Sequence, residues 1–203
     1  MRVIFMSKPR NYNRPKKGSQ IKVEPIKKIK HIKTIKAMLA SKPRDLALFT
    51  IGINTNLIAS DLLRITVDKV KDLNTNDDLK LKEKKTGKVR RITLNKACIK
   101  AIQGLLETGE YKDKDYLFKS QRGPVLTVST VTNMVKGWCR AINLKGNYGS
   151  HTLRKTWGYH QRITFKTELP VLMECFNHSN QKQTLTYLCI QPEEIKNVYE
   201  NVL

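Results

Sequence analysis

A single stretch of this chain alternates apolar and polar side chains around a turn signal. Leu79–Leu81 and Val89–Leu94 flank Thr86-Gly87, which predicts a β-hairpin with a Lys-rich tip. Elsewhere the apolar residues recur at helical spacing. Ile26, Ile29, Ile32, Ile35, Met38 and Leu39 follow Pro25, with Lys27, Lys28, Lys30, Lys33 and Lys36 on other faces. Arg44–Asn54 is a mostly apolar helix, and Ala59–Leu63 a short one capped by Ser60 or the residues before it. Asn95 caps a helix running through Leu106, and Tyr116–Phe118 is a short apolar segment stopped by Arg122-Gly123-Pro124. From Val128 on, helical patterns cover about 128–143, 152–165, 168–176, 181–188 and 192–201, with Ser150 as the cap of the second. The fold class is therefore mostly α with one small sheet (α+β), with no internal repeat and one folded domain over 25–203. Residues 1–24 read as a basic arm: Pro9, Pro15 and Gly18 punctuate it, and little apolar surface offsets the entropy of ordering it.

Charge narrows the partner. Lys and Arg total 39 against 17 Asp and Glu, a formal charge of +22 with pI ≈ 10.0. Such a surface repels itself until an anion neutralises it, and nucleic acid is the commonest anion of that size. An extracellular small-molecule enzyme or an acidic scaffold is disfavoured. Cys98, Cys139, Cys175 and Cys189 are far apart with no CxxC, so neither a zinc site nor a disulfide framework is expected, and a reducing compartment fits. No apolar run approaches the ~18 residues of a membrane span, and no signal-peptide core opens the chain. The Ile/Lys helix after Pro25 admits three readings: a membrane-surface helix, a transit peptide, or a helix packed on the domain. Packing is favoured, because the helix has no Trp or Phe to anchor it in lipid.

Four residues then stand in a suggestive order. His151 and Arg154 lie three apart at a helix start, on one face; His178 follows His151 by 27 residues, and Tyr187 follows His178 by nine. Lys84, Lys85 and Lys88 flank the hairpin turn. A phosphodiester needs cations on its non-bridging oxygens and a proton donor for the departing alkoxide. A Tyr hydroxyl can attack phosphorus and keep the bond energy in a covalent intermediate. Each residue alone has a bland reading as a surface charge, loop residue or core aromatic; it is the ordered set that carries the inference.

HTLR (151–154) and FNHSNQKQTLTYL (176–188) resemble the H-x-L-R and L-G-H-S boxes and the trailing Tyr of the tyrosine site-specific recombinases, the phage integrase family. TNLIASDLLRITVDKV (55–70) is similar to that family's T-G-L-R-x-S-E-L box, and KEKKTGKVRRITL (82–94) to its Lys-bearing hairpin. The resemblance runs from about residue 40 to the end. It implies a tyrosine recombinase catalytic-domain fold and cleavage of DNA through a 3′-phosphotyrosine. Tyr187 then corresponds to the nucleophile and Arg154 to the second phosphate-clamping Arg. His151 and His178 correspond to the proton-transfer and phosphate-positioning residues, and Lys85 (or Lys88) to the acid for the 5′ oxygen. Lys84, Lys88, Arg90, Lys155, Lys16 and Lys17 are the candidate DNA contacts. No metal or nucleotide cofactor is implied. The implied partners are double-stranded DNA and, on DNA, further copies of the chain, with the Pro192–Leu203 helix packing in cis or on a neighbour. The expected setting is the cytoplasm of a bacterium or of a phage's host.

Two departures from the family pattern stand out. Residues 1–40 are too short for the separate N-terminal helical domain with which such recombinases clamp DNA. Ile58 occupies the place of the first catalytic Arg; losing one preorganised donor costs about 10²–10³ in rate. Arg64, six residues on, lies nearly two helical turns away. Asn56 and Asn177 stand where Gly is usual, and Asn tolerates the same left-handed backbone. A pseudo-recombinase that binds DNA without cutting it is thus the second reading. A type IB topoisomerase and a basic RNA-binding protein follow. Restoring the guanidinium with Ile58→Arg is expected to raise covalent complex on a nicked suicide DNA substrate by about an order of magnitude. If Ile58 is instead a core residue beside Leu57 and Leu62, the variant melts early and gives no adduct.

Overall fold

A computed structural model describes residues 23–82, 87, 89–190, 199, 200 and 202. The basic arm up to residue 22, with Lys16 and Lys17, lies outside the described residues; so do the hairpin tip bearing Lys84, Lys85 and Lys88 and nearly all of the helix read at Pro192–Leu203.

Eight helices and one hairpin make up the described chain. Helix α1 (Ile29–Met38) lays Ile32 and Ile35 into the core, and α2 (Pro43–Gly52) is buried from Ala47 to Gly52. The short α3 (Ala59–Leu62) is followed by a 3₁₀ turn at Val67–Lys69. Strands β1 (Asp78–Lys82) and β2 (Val89–Thr93) pair antiparallel, with Leu79 opposite Ile92 and Leu81 opposite Arg90. Next come α4 (Lys96–Leu106), α5 (Val128–Ala141), α6 (Ser150–Ile163), α7 (Leu169–Phe176) and α8 (Gln181–Leu188). The sheet and most helices follow the periodicities read from sequence. Asn95 caps α4 as expected, its Oδ1 accepting the Cys98 N–H at 3.0 Å.

Two helix starts differ from expectation, each for a local reason. The pattern places the first helix directly after Pro25, whereas α1 begins at Ile29. The backbone of Ile26 is committed elsewhere: its N–H donates to Thr156 Oγ1 (2.8 Å), and its carbonyl meets His160 Nε2 (2.9 Å). These bonds hold Ile26, fully buried, in an extended segment against α6; Ile32, Ile35 and Leu39 of the stripe pack on the domain, while Ile29 and Met38 are exposed. Helix α6 starts one residue early. Ser150 lies inside it, and Gly149 takes the cap position, its N–H bonded to Thr152 Oγ1 at 3.1 Å. Of the alternatives offered for α3, Ser60 or the residues before it, the structure takes the second: Ile58 precedes the helix, with no side-chain cap bond.

The interior divides into two clusters. The larger gathers α1–α5 and the sheet around Phe49, Ile51, Leu79, Phe118 and Trp138; Phe49 meets Trp138 edge-on at 5.7 Å. The smaller holds Tyr159, Leu172, Phe176, Leu188 and Ile190, between α6, α7 and α8. Helix α6 touches both clusters and sits closest to its neighbours at glycines. A Cβ on Gly52 of α2 would lie 2.7 Å from Leu153 Cδ1, and one on Gly158 would lie 2.5 Å from both Leu188 Cδ2 and Phe176 Cζ.

Gly158→Ala is therefore expected to destabilise the protein although Ala is the better helix former. Overpacking costs about 1–3 kcal/mol, against a propensity gain of about 1 kcal/mol. A urea titration showing no loss would mean that α6 and α8 can separate freely.

Candidate active site

The C-terminal end of α7 gathers the site. Asn177 ends the helix in the left-handed conformation (φ 56°, ψ 48°), and the His178 N–H turns back onto Met173 O at 3.0 Å. Helix carbonyls at such an end lack intrahelical partners and carry the negative pole of the helix. Here they receive side chains from three distant segments. Cys175 O accepts Asn56 Nδ2 (2.7 Å) and Arg90 Nη2 (2.9 Å), and Phe176 O accepts Arg154 Nη2 more weakly at 3.4 Å. The Arg154 guanidinium also lies 5.0 Å from the centre of the Phe176 ring.

After the Asn177 turn, Asn180 caps α8 by accepting the Gln183 N–H at 2.8 Å, and α8 carries Tyr187 back beneath His178. His178 Nδ1 pairs with Thr184 Oγ1 at 3.0 Å, leaving Nε2 as the other ring nitrogen. The Tyr187 ring packs against Phe176 (5.3 Å) and His178 (5.4 Å), and its Oη is buried with no hydrogen-bond partner among the described residues. Ile58, Asp61, Arg90, His151, Arg154, Glu174, His178 and Tyr187 line one cleft of about 550 Å³. Sequence order alone separates these residues; the fold brings them to one wall.

Ile58 lines the cleft half-buried, while its neighbours Leu57 and Leu62 are core residues. Arg64 points away, donating to Lys82 O at 3.2 Å. Lys155 departs from its expected place on a DNA-facing surface. It is 5% exposed because its face of α6 turns onto the small cluster, with Nζ 4.7 Å from the Tyr187 ring and 3.6 Å from Cys189 Sγ. From sequence Asn56 is expected only to tolerate left-handed backbone, which it adopts (φ 53°). Its side chain does more: Oδ1 accepts Arg154 Nε at 2.8 Å while Nδ2 holds Cys175 O, so one buried amide fixes the Arg154 fork against the end of α7. The signal was the exchange of Gly for a residue that brings both a donor and an acceptor.

Electrostatics set the protonation states. Desolvation, then the charges of Arg154 and Lys155, holds His151 below the ordinary histidine value; desolvation, then Arg154, does the same for His178. Both shifts favour the neutral ring at neutral pH. Burial pushes the Tyr187 hydroxyl up, against an opposing pull from Arg154, so the phenol keeps its proton. Among the described residues no three His, Cys, Asp or Glu side chains come together as a metal site.

A helical body with one hairpin and a cleft of this composition define a class, the tyrosine recombinase catalytic domain. The model of the phage integrase family matches residues 20–194, and the chain belongs to that family. The match begins some twenty residues before the motifs alone reach. The chain is 33% identical over 181 residues to "Probable integrase/recombinase YoeC" of Bacillus subtilis (strain 168), covering 88% of this chain and 96% of that protein. It is also 33% identical over 159 residues to tyrosine recombinase XerC of Caldanaerobacter subterraneus subsp. tengcongensis, covering 76% of this chain but 44% of that protein. Among solved structures, the crystal structure of XerA recombinase shares the fold with a TM-score of 0.70 at 18% identity, over 87% of this chain and 65% of that one. XerH bound to a palindromic difH substrate gives 0.68 at 17% identity, over 89% of this chain and 53% of that one.

The Asn56 bridge can be tested without any activity. Asn56→Gly keeps the backbone but deletes both hydrogen bonds, at an expected cost of about 1–2 kcal/mol. Asn56→Ala adds left-handed strain and should be less stable again by about 1 kcal/mol. Equal denaturation midpoints for the native protein and the Gly variant would show that Arg154 is held without this amide.

Proposed function

We propose that this protein cuts and rejoins double-stranded DNA through a 3′-phosphotyrosine at Tyr187, as an integrase or recombinase of a phage or other mobile element. The observation that carries the proposal is the single cleft shared by Tyr187, His178, Arg154 and His151. In the cleavage step Tyr187 Oη attacks the scissile phosphorus. The Oη–P bond forms and the P–O5′ bond breaks, leaving a 3′-phosphotyrosine and a 5′ hydroxyl. The phenolic proton passes to a neutral imidazole, with His178 the nearer ring, and Lys85 supplies a proton to the departing 5′ oxygen. Arg154, its fork fixed by Asn56, and His151 hold the non-bridging oxygens as charge builds on the phosphorane. Rejoining reverses these bonds, with a 5′ hydroxyl attacking phosphorus and Tyr187 leaving. The phosphotyrosine stores the bond, so the exchange needs neither a nucleotide nor a metal ion.

On this reading the protein acts in the cytoplasm and assembles on DNA as a homo-oligomer, since strand exchange needs paired sites. Duplex DNA offers the anion that a charge of +22 calls for. Hairpin cations Lys84 and Lys88 and arm cations Lys16 and Lys17 are proposed to touch its backbone. Ile58 gives the second reading its footing: a side chain without a donor lines the cleft where the family pattern has Arg. A chain of that kind would bind DNA and regulate an active relative.

One assay separates the two readings. The protein is expected to form a covalent complex on a nicked suicide duplex, and Tyr187→Phe to abolish it while leaving duplex affinity within about threefold, since only the attacking hydroxyl is lost. An adduct that persists in the Phe variant would refute the nucleophile assignment; no adduct from the native chain would favour the regulator. The pH dependence follows from the depressed histidines. The accepting form is the neutral ring, so the single-turnover rate should be flat through neutrality. It should fall only as pH drops through a value below the ordinary 6.5 of histidine.

A further inference from the structure

We propose that Arg90 supplies the phosphate clamp that Ile58 lacks, delivering from strand β2 the second guanidinium of the cleft. The inference rests on the reading of Tyr187 and Arg154 above. It goes beyond that reading in giving a specific transition-state role to a residue that sequence placed only among general DNA contacts.

Three observations carry it. First, Arg90 and Arg154 are the two guanidinium groups lining the cleft among the described residues, and Ile58 lines it with them. Second, both are anchored on the same structural feature, the end of α7. Arg90 Nη2 donates to Cys175 O at 2.9 Å and Arg154 Nη2 to Phe176 O at 3.4 Å, so the two forks rest on consecutive peptide carbonyls. A guanidinium has five donors in one plane, and a carbonyl anchor on one of them sets the orientation of the whole fork. Third, the strand explains how Arg90 reaches inward. It pairs with Leu81, a core residue, across the hairpin, and it is half-buried, whereas its neighbour Val89 is 68% exposed.

The electrostatics agree. Asp61, one turn after Ile58 and 5% exposed, and Glu174 put two carboxylates on the same cleft wall. A phosphate entering beside them gains from more than one fixed cation, because carboxylates, the buried Asp61 above all, repel the incoming anion. With Ile58 apolar, the guanidinium groups lining this wall among the described residues are those of Arg90 and Arg154. The order-of-magnitude gain expected on sequence grounds from Ile58→Arg therefore belongs to a protein without Arg90, and in the native background the gain should shrink to about threefold or less.

The test is a double-mutant cycle on the nicked suicide duplex, read as covalent complex per unit time, with a thermal melt on each variant. Arg90→Gln keeps an amide donor for Cys175 O but loses the charge. It is expected to lower adduct formation by about 10²–10³, with a melting midpoint close to that of the native protein. Adding Ile58→Arg should recover at least about tenfold of the loss. Should the double variant fail to fold, guanidinium ion below denaturing concentration should raise adduct formation by Arg90→Ala and leave the native rate unchanged. An Arg90→Gln variant that cleaves normally would overturn the proposal. So would a loss that neither Ile58→Arg nor guanidinium repairs, because a side chain that merely braces α7 cannot be replaced from position 58. If the native protein gives no adduct but Ile58→Arg gives one that Tyr187→Phe removes, the Tyr187 reading stands and Arg90 is not the clamp. If no variant ever gives an adduct, both fall.

Discussion

The carbonyl of Cys175 is the point on which the site depends. It lies at the end of a helix of eight residues, where the last peptide groups have no partners of their own, and it accepts donors from residues 119 and 85 positions away. Through it, α7 ties the loop before α3 to strand β2, and the Asn56 amide carries the tie on to Arg154 in α6. The left-handed Asn177 makes this possible. By stopping α7 at Phe176 it leaves the two carbonyls free and swings His178 back toward Tyr187. A cluster of cations facing solvent would repel and scatter. Resting them on the negative end of a helix holds them in place before any phosphate arrives.

The division of the interior into two clusters serves the same end. The large cluster fixes α2, α4, α5 and the sheet, and so fixes where Ile58 and Arg90 can be. Tyr187 belongs to the small one, held by ring contacts with Phe176 and His178 and by the Lys155 ammonium, not by a hydrogen bond to its hydroxyl. A buried hydroxyl without a partner lies about 1–3 kcal/mol above a paired one. The small cluster carries that cost within its own packing, offset by the ring contacts around Tyr187. Helix α6 spans both clusters, which explains the closeness of its glycine contacts: Gly52 of α2 on one side, its own Gly158 on the other.

Periodicity made the architecture legible. The alternation around Thr86-Gly87 gave the hairpin, and the Asn95 and Asn180 caps stand where a short polar residue precedes a helical run. What escaped it are decisions made by tertiary contacts. No local signal tells Ile26 that Thr156 and His160, 130 and 134 positions on, will claim its backbone and delay α1 by a turn. The His, Arg, His and Tyr of the cleft were readable because their order is preserved along the chain. The Asn56–Arg154 and Arg90–Cys175 bonds were not, since each joins segments whose proximity only the fold creates. Lys155 shows the converse error: a Lys beside a candidate motif on a basic chain reads as a surface charge, yet its face of α6 is an inner one.

The protonation pattern follows from the same packing. For Tyr187 as the proposed nucleophile, burial alone is a handicap, because it penalises the phenolate; Arg154 opposes that penalty without removing it. Attack therefore requires a neutral acceptor for the proton. Burial, which hinders the phenol, and the Arg154 charge, which helps it, both disfavour protonation of His178, and at His151 the Lys155 charge adds to them. One set of cations thus does two things by one field: it lowers the affinity of the imidazoles for protons and it favours negative charge on phosphate and phenolate. On the proposed reading, the same field that disfavours positive charge on a histidine in this cleft favours negative charge on a phosphorane, which matches the site to the transition state and not to the resting groups.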